Sequence, residues 1–291
     1  MDLYHSIIGL PFSGKTTFLA ALWHLIDAGE IETRLVLDHL EGDKRYLNSI
    51  AKSWRECKRV GRTSMSGEVD VSIHARIVQT GQQIVLGFPD LSGESFARQF
   101  ATRRAKTDYV EGFNREGGML LFISANKSTD GLTIADLGPE LLDAVEAPDT
   151  TANEGIATQP AVDALVDWKY EMVPQQAQLV DLLQMLQSTP FEIRRRKLAV
   201  IVSAWDVVPD PDLRPAQWLA REMPLVFQYL AHNPESFDFK VWGVSAQGGD
   251  ISGGDRQKLL SMTPSERVRC IGEESQSSDI TAPISWLSEA L

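Results

Sequence analysis

The sequence predicts an α/β protein built on a doubly wound, mostly parallel sheet with helices on both faces. Three observations predict it. Segments with the two-residue period of strands alternate with segments of helical period along the chain, and there is no internal repeat. Residues 117–124 and 198–202 are continuous apolar runs, as expected of strands buried on both faces of a parallel sheet. The apolar runs end in glycine-bearing or polar turns, at the carboxyl ends where such sheets hold ligands.

The elements follow in order. Residues 4–8 read as a short buried strand. Phe18, Ala21, Leu22, Leu25 and Ile26 then form the stripe of an amphipathic helix, and Gly29 supplies its stop. Residues 34–38 suggest a strand, and 44–55 a helix with Tyr46, Leu47, Ile50 and Trp54 on one side. Alternation over 68–78 marks a half-buried strand that pairs with 83–88 in a hairpin, giving the sheet one antiparallel edge strand. After the run at 117–124, weak periodicity makes 126–165 a loop-rich insertion. A helix over 175–187, the strand 198–202, one helix over 215–232, the strand 239–244 and a last helix begun by Pro283 complete the chain. The expected organisation is one domain over 1–291, with insertions at about 34–62 and 126–190.

Composition narrows the function. Hydrophobic content of 43% and charged content of 23% are ordinary for a globular protein of 291 residues. A net charge of −12 argues against a nucleic-acid partner, which requires a basic face. The local basic runs, Lys52 to Arg62 and Arg194 to Lys197, are expected on solvated faces or near phosphate. Cys57 and Cys270 imply no disulfide framework. With no signal peptide after Met1 and no apolar run of membrane-spanning length, a cytoplasmic location is expected. The five histidines show no metal-ligand spacing, so a structural metal is not expected.

The densest signal lies near the start. Gly9-Leu10-Pro11-Phe12-Ser13-Gly14-Lys15-Thr16 fits the phosphate-loop pattern G-x-x-x-x-G-K-[ST] without a mismatch. Its glycines permit backbone conformations that turn successive N–H groups around a phosphate. Lys15 brings a charge to the β- and γ-phosphates, and the Thr16 hydroxyl offers a hard oxygen to Mg²⁺. The strand before and the helix after place this anion site against a helix N-terminus. Gly9, Phe12, Ser13, Gly14, Lys15, Thr16 and Thr17 are thus the candidate phosphate contacts, and the implied ligand is a nucleoside triphosphate.

Further motifs follow in order on strand ends: Asp90-Leu91-Ser92-Gly93, then Ser203-Ala204-Trp205-Asp206, then Ser245-Ala246-Gln247. With the phosphate loop, they make the chain resemble the Ras-like, translation-factor-related P-loop GTPases over about two thirds of its length. The chain also resembles the double-GTPase group inferred for bacterial conflict systems. The resemblance implies a Mg²⁺-dependent protein that binds GTP and GDP, hydrolyses GTP and acts as a switch for a protein partner or a second copy. It implies that Asp90 holds Mg²⁺ through water with Thr16, that Gly93 senses the γ-phosphate, and that Thr63 is the switch threonine closing over phosphate and metal. Lys15, Thr63, Gly93 and Glu94 become the catalytic set, with Glu94 where Ras-like enzymes carry the water-orienting glutamine. Arg59 or Arg62 is a candidate finger in cis. Asp206 would read the guanine N1–H and amine, and Ser245-Ala246 would offer an N–H to guanine O6.

The base motif departs from the family's [NT]-K-x-D. Ser203 replaces Asn or Thr, and Ala204 replaces the lysine whose stem covers the base, a role that Trp205 is positioned in sequence to share. Two alternatives stay open at this point: a GTP-gated interaction module with little hydrolysis, and an ATP-using P-loop NTPase. Asn126-Lys127 imitates the base motif but lies one strand too early, with Asp130 one residue too far.

Overall fold

The computed structural model describes residues 2–60, 71–89, 94–126, 173–273 and 275–290. Thr63, Asp90 and Gly93 lie outside the described residues, as does most of the insertion expected at 126–190. The described strands form a nine-stranded sheet: β1 (Leu3–Ile8), β2 (Leu35–Glu41), β3 (Val71–Ile77), β4 (Gln83–Phe88), β5 (Met119–Ser124), β6 (Arg196–Ser203), β7 (Phe237–Ser245), β8 (Arg269–Ile271) and β9 (Gln276–Ser277). Their spatial order is β2-β3-β4-β1-β5-β6-β7-β8-β9. The five central strands from β4 to β7 are mutually parallel. This is the α/β doubly wound sheet that the sequence predicts.

Antiparallel pairing occurs at both ends. β3 runs against β4, and β2 pairs with β3 from the segment expected to be an insertion. At the other end β8 and β9 add two short antiparallel strands from the Ser- and Gly-rich stretch after β7. Both are too short for their periodicity to show in the sequence.

Side-chain alternation divides the core. Leu120 and Phe122 of β5, with Ala199 and Ile201 of β6, face α1 (Lys15–Ala28) and α2 (Lys44–Arg55) on one side. Met119, Leu121 and Ile123, with Leu198, Val200 and Val202, face the opposite layer. That layer holds α3 (Glu94–Thr102), α4 (Thr107–Asn114), α5 (Gln175–Met185), α6 (Pro215–Glu222) and α7 (Pro224–His232). The helix expected over 215–232 is therefore two helices. Pro224 cannot donate a backbone hydrogen bond or continue the preceding turn, so the chain breaks at Met223 and restarts. Three short helices, α8 (Arg256–Leu260), α9 (Pro264–Arg267) and α10 (Ala282–Leu287), complete the chain.

The second basic run is not a solvated face throughout. Arg196 and Lys197 are buried at the start of β6. The Arg196 guanidinium donates to the carbonyls of Leu186, Glu192 and Arg194, and burial lowers its pKa to about 10. Lys197 Nζ donates to the Trp286 carbonyl at 3.1 Å and sits over the Trp286 ring. Among the described residues, no helix is long and apolar enough to cross a membrane.

Candidate nucleotide-binding site

The phosphate loop joins β1 to α1, and its conformation explains its glycines. Gly9 has φ 154° and Gly14 has φ 89°, both in the region that side chains disfavour. A Cβ on Gly14 would lie 2.6 Å from Ser203 Oγ, and one on Gly9 would lie 2.8 Å from the Phe122 carbonyl oxygen. The loop is thus pressed against the ends of β5 and β6 by contacts that admit no side chain. Phe12 also adopts a positive φ, 64°, and is 65% exposed at the pocket mouth.

Lys15 is buried under this loop at 3% exposure. Its ammonium donates to Gly9 O at 2.6 Å, to Leu10 O at 3.0 Å and to Ser13 Oγ at 3.3 Å. Three oxygens thereby fix a cation at the centre of the loop. Thr16 stands half-buried in the first turn of α1, and Thr17 lines the pocket beside Gly14.

The pocket has a volume of about 690 Å³ and runs along the carboxyl ends of β1, β5, β6 and β7. One end is the phosphate loop; the other is the turn after β6 and the loop after β7. Asp206 lies at this far end, in a single 3-10 turn over Trp205–Val207. Its carboxylate accepts a hydrogen bond from the Ser245 hydroxyl, which also accepts from the Gly248 N–H at 3.1 Å. Ser245 is buried and its hydroxyl aims the carboxylate, while Ala246 lines the pocket. At the rim, Asp250 accepts two hydrogen bonds from Ser252, and these hold its carboxyl below the usual carboxylate range.

Two departures from the family motif acquire a place here. Ser203 Oγ donates to the Ser13 carbonyl at 2.8 Å, so the turn after β6 is tied directly to the phosphate loop. Ala204, where the family carries lysine, has φ 53° and lines the pocket.

Trp205 turns into the core. Its side chain is only 7% exposed, and its ring lies so close to β7 that a Cβ on Gly243 would come within 2.3 Å of it. Trp205 packs edge-on to Trp218 in the core, away from the pocket, because a large apolar ring next to an uncovered strand glycine is driven into that space. Val207 and Ala204 line the pocket beside Asp206.

Sequence reasoning also missed Trp54. Its indole N–H donates to the Ala246 carbonyl at 2.8 Å, and Arg267 covers its ring at 4.9 Å. Helical phase marks Trp54 as buried, but nothing in the sequence pairs it with a loop so distant in the chain. Asn126, dismissed as a false base motif, lines the pocket at the end of β5. Arg59 lines it as well, whereas Arg62 is outside the described residues. Glu94 begins α3.

A central parallel sheet with a glycine-cradled lysine loop at one end of its pocket and an oriented aspartate at the other defines a Ras-like P-loop nucleotide-binding protein. The family model Double-GTPase 1 matches residues 6–287, and the chain belongs to that family. It is accordingly a GTP-binding protein of the GTPase class. Among curated proteins, none matches the chain. The chain is similar to the nucleolar GTP-binding protein 1 of Plasmodium falciparum at 11% identity and a TM-score of 0.39, covering 89% of this chain and 86% of that one. It is similar to an Aquifex aeolicus Era variant bound to GDP and aluminium fluoride at 13% identity and a TM-score of 0.33, covering 89% of this chain but 55% of that one. The G domain of the T. maritima FeoB iron transporter aligns at 10% identity and a TM-score of 0.31, covering 89% of this chain and 98% of that one.

Proposed function

We propose that this protein binds Mg²⁺-GTP, hydrolyses it and uses the change of nucleotide as a switch for a protein partner. The observation that carries the guanine assignment is the Asp206 carboxylate, held by Ser245 at the pocket end opposite the phosphate loop. A fixed carboxylate accepts two hydrogen bonds from the N1–H and exocyclic amine of guanine. Adenine presents no such donor pair, so the same group disfavours it by leaving the carboxylate without the two hydrogen bonds that guanine supplies.

At the other end the glycine cradle fits a phosphate, and the Thr16 hydroxyl supplies a hard oxygen donor suited to Mg²⁺. Thr16, Asp90 and Thr63 would hold the ion, which would supply positive charge to the triphosphate. Lys15 supplies a preorganised cation at the γ-phosphate, and the loop N–H groups stabilise the charge that spreads over it during in-line attack by water. The Gly93 N–H would sense the γ-phosphate, and Glu94 would orient the water.

The carboxylate of Glu94 favours a second reading. It places negative charge beside a developing anion, which points to a protein that holds GTP long enough to gate a partner and turns it over slowly. One experiment separates these readings: titration with fluorescent GTP and ATP analogues with and without Mg²⁺, followed by single-turnover hydrolysis of wild type and Glu94→Gln. GTP preference with measurable turnover supports the switch. A rise in turnover in Glu94→Gln favours the gated module. Equal or tighter binding of ATP would overturn the guanine assignment.

A further inference from the structure

We propose that His39, Glu41 and His74 form a binding site for a divalent first-row transition-metal ion, with Zn²⁺ as the best-matched occupant. The site lies on the outer edge of the sheet, on the face of β2 and β3 opposite the buried Leu35, Ile73, Ala75 and Ile77.

The register creates it. Ahead of residue 38, β2 pairs Leu37 with Ala75; beyond it, His39 pairs with His74, so Asp38 is an extra residue in β2. Without this bulge, strict alternation would turn His39 towards the core with Leu35 and Leu37. With it, Leu40 faces inward opposite Ile73, and His39 and Glu41 stand on the same face as His74. The two imidazoles stack with centroids 3.9 Å apart and planes 17° from parallel. A carboxylate oxygen of Glu41 lies 3.3 Å from His74 Nε2.

That nitrogen carries the argument for a ligand. His74 Nε2 is buried as an atom and has no hydrogen-bond partner, and the neighbouring Glu41 oxygen does not take up hydrogen-bond geometry with it. Buried polar atoms are rarely left in this condition. A metal ion satisfies it, since it needs only a lone pair directed at it. One ligand atom from each of the three residues lies within 4.8 Å of the others. Around a tetrahedral zinc, ligands at about 2.0–2.1 Å stand roughly 3.3 Å from each other. His39 and Glu41 are exposed, so rotation of their side chains closes the difference without disturbing the core. Next on the same face of β3, Arg76 pairs with Asp38 at 3.8 Å. Two imidazoles and one carboxylate match zinc and its neighbours in the first transition row; magnesium and calcium prefer an all-oxygen shell.

Bound there, the ion links β2 to β3 through side chains in addition to the backbone ladder, and so clamps the edge strand that leads into α2. The test uses the full chain without nucleotide. Co²⁺ titration followed by visible absorption, with displacement by Zn²⁺, should show saturable binding of one ion per chain. Affinity should fall roughly tenfold or more in His39→Gln and in His74→Gln, and remain unchanged in His232→Gln. Zn²⁺ should also raise the thermal midpoint of the wild type, an effect that Mg²⁺ does not reproduce and His39→Gln abolishes. His39 is exposed, so that variant tests the site even if His74→Gln folds poorly. Absence of saturable binding, or binding that survives His39→Gln, overturns the proposal.

Discussion

The two ends of the nucleotide pocket are built differently. The phosphate end comes from nine consecutive residues, 9–17, and its lysine is held by oxygens of its own loop. The end proposed to read the base is assembled from distant pieces: Ser203 and Asp206 after β6, Ser245 and Ala246 after β7, and Trp54 from α2. A local loop can define its own chemistry through backbone geometry. An assembled site depends on how separate elements pack. Damage to the phosphate end should therefore weaken every nucleotide alike, whereas damage to the proposed base end should change which base is chosen.

The largest expected effect is at the phosphate end. Lys15→Ala removes a preorganised cation from the phosphates and should weaken GTP and ATP alike by about 3 kcal/mol, roughly a hundredfold. Titration with the two fluorescent analogues measures it. A loss confined to GTP would break the proposed division between the ends. Asp206→Asn comes next. Its amide can accept one hydrogen bond where the carboxylate accepts two, so GTP should weaken by about 2 kcal/mol, near thirtyfold, with ATP unchanged. Equal loss for both nucleotides would show that this end positions the whole ligand.

An effect of similar size, on stability rather than affinity, involves the strand beneath the phosphate loop. His5 is fully buried on β1, donating through Nε2 to Ser288 Oγ at 2.9 Å and accepting from the Gly118 N–H at Nδ1. Burial lowers its pKa from 6.5 to about 3. The unfolded chain therefore takes up a proton below pH 6.5 that the folded chain refuses until about pH 3, so stability falls as pH drops through that window. The slope contributed by this group approaches 1.4 kcal/mol per pH unit below 6.5. Urea unfolding of wild type and His5→Gln at pH 7 and 5 measures it, and identical pH dependence in both would remove His5 as the cause.

The same contrast explains what the sequence disclosed. The phosphate loop is legible because one contiguous pattern carries it, and the central strands because burial on both faces leaves apolar runs such as residues 119–123. The order of motifs on strand ends singled out Asp206 and Ser245, and the fold brings their side chains into hydrogen-bond contact. For Trp205, adjacency to Asp206 says nothing about direction: the ring occupies the space above Gly243, which only the packed sheet reveals. Likewise, His39 and His74 show no ligand spacing along the chain, since a bulge at Asp38 and cross-strand register bring them together. The strands β8 and β9, of three and two residues, fall below the length at which alternation is distinguishable from chance.

The smallest effect is the most informative about the base end. Trp54→Phe keeps most of the apolar volume and the face beneath Arg267 but removes the indole N–H that meets the Ala246 carbonyl. An acceptor deprived of its partner in a buried position costs about 1–2 kcal/mol of stability. If α2 holds the loop after β7 in its base-reading position, GTP affinity should also fall, by roughly threefold to tenfold, while ATP affinity and the response to Lys15→Ala stay as in the wild type. A double-mutant cycle with Asp206→Asn then decides whether the two effects share a route. Coupling places Trp54 behind guanine recognition and makes the segment at 34–62 part of the base end. Strict additivity would confine Trp54 to stability and leave the carboxylate and its serine as the reader of the base.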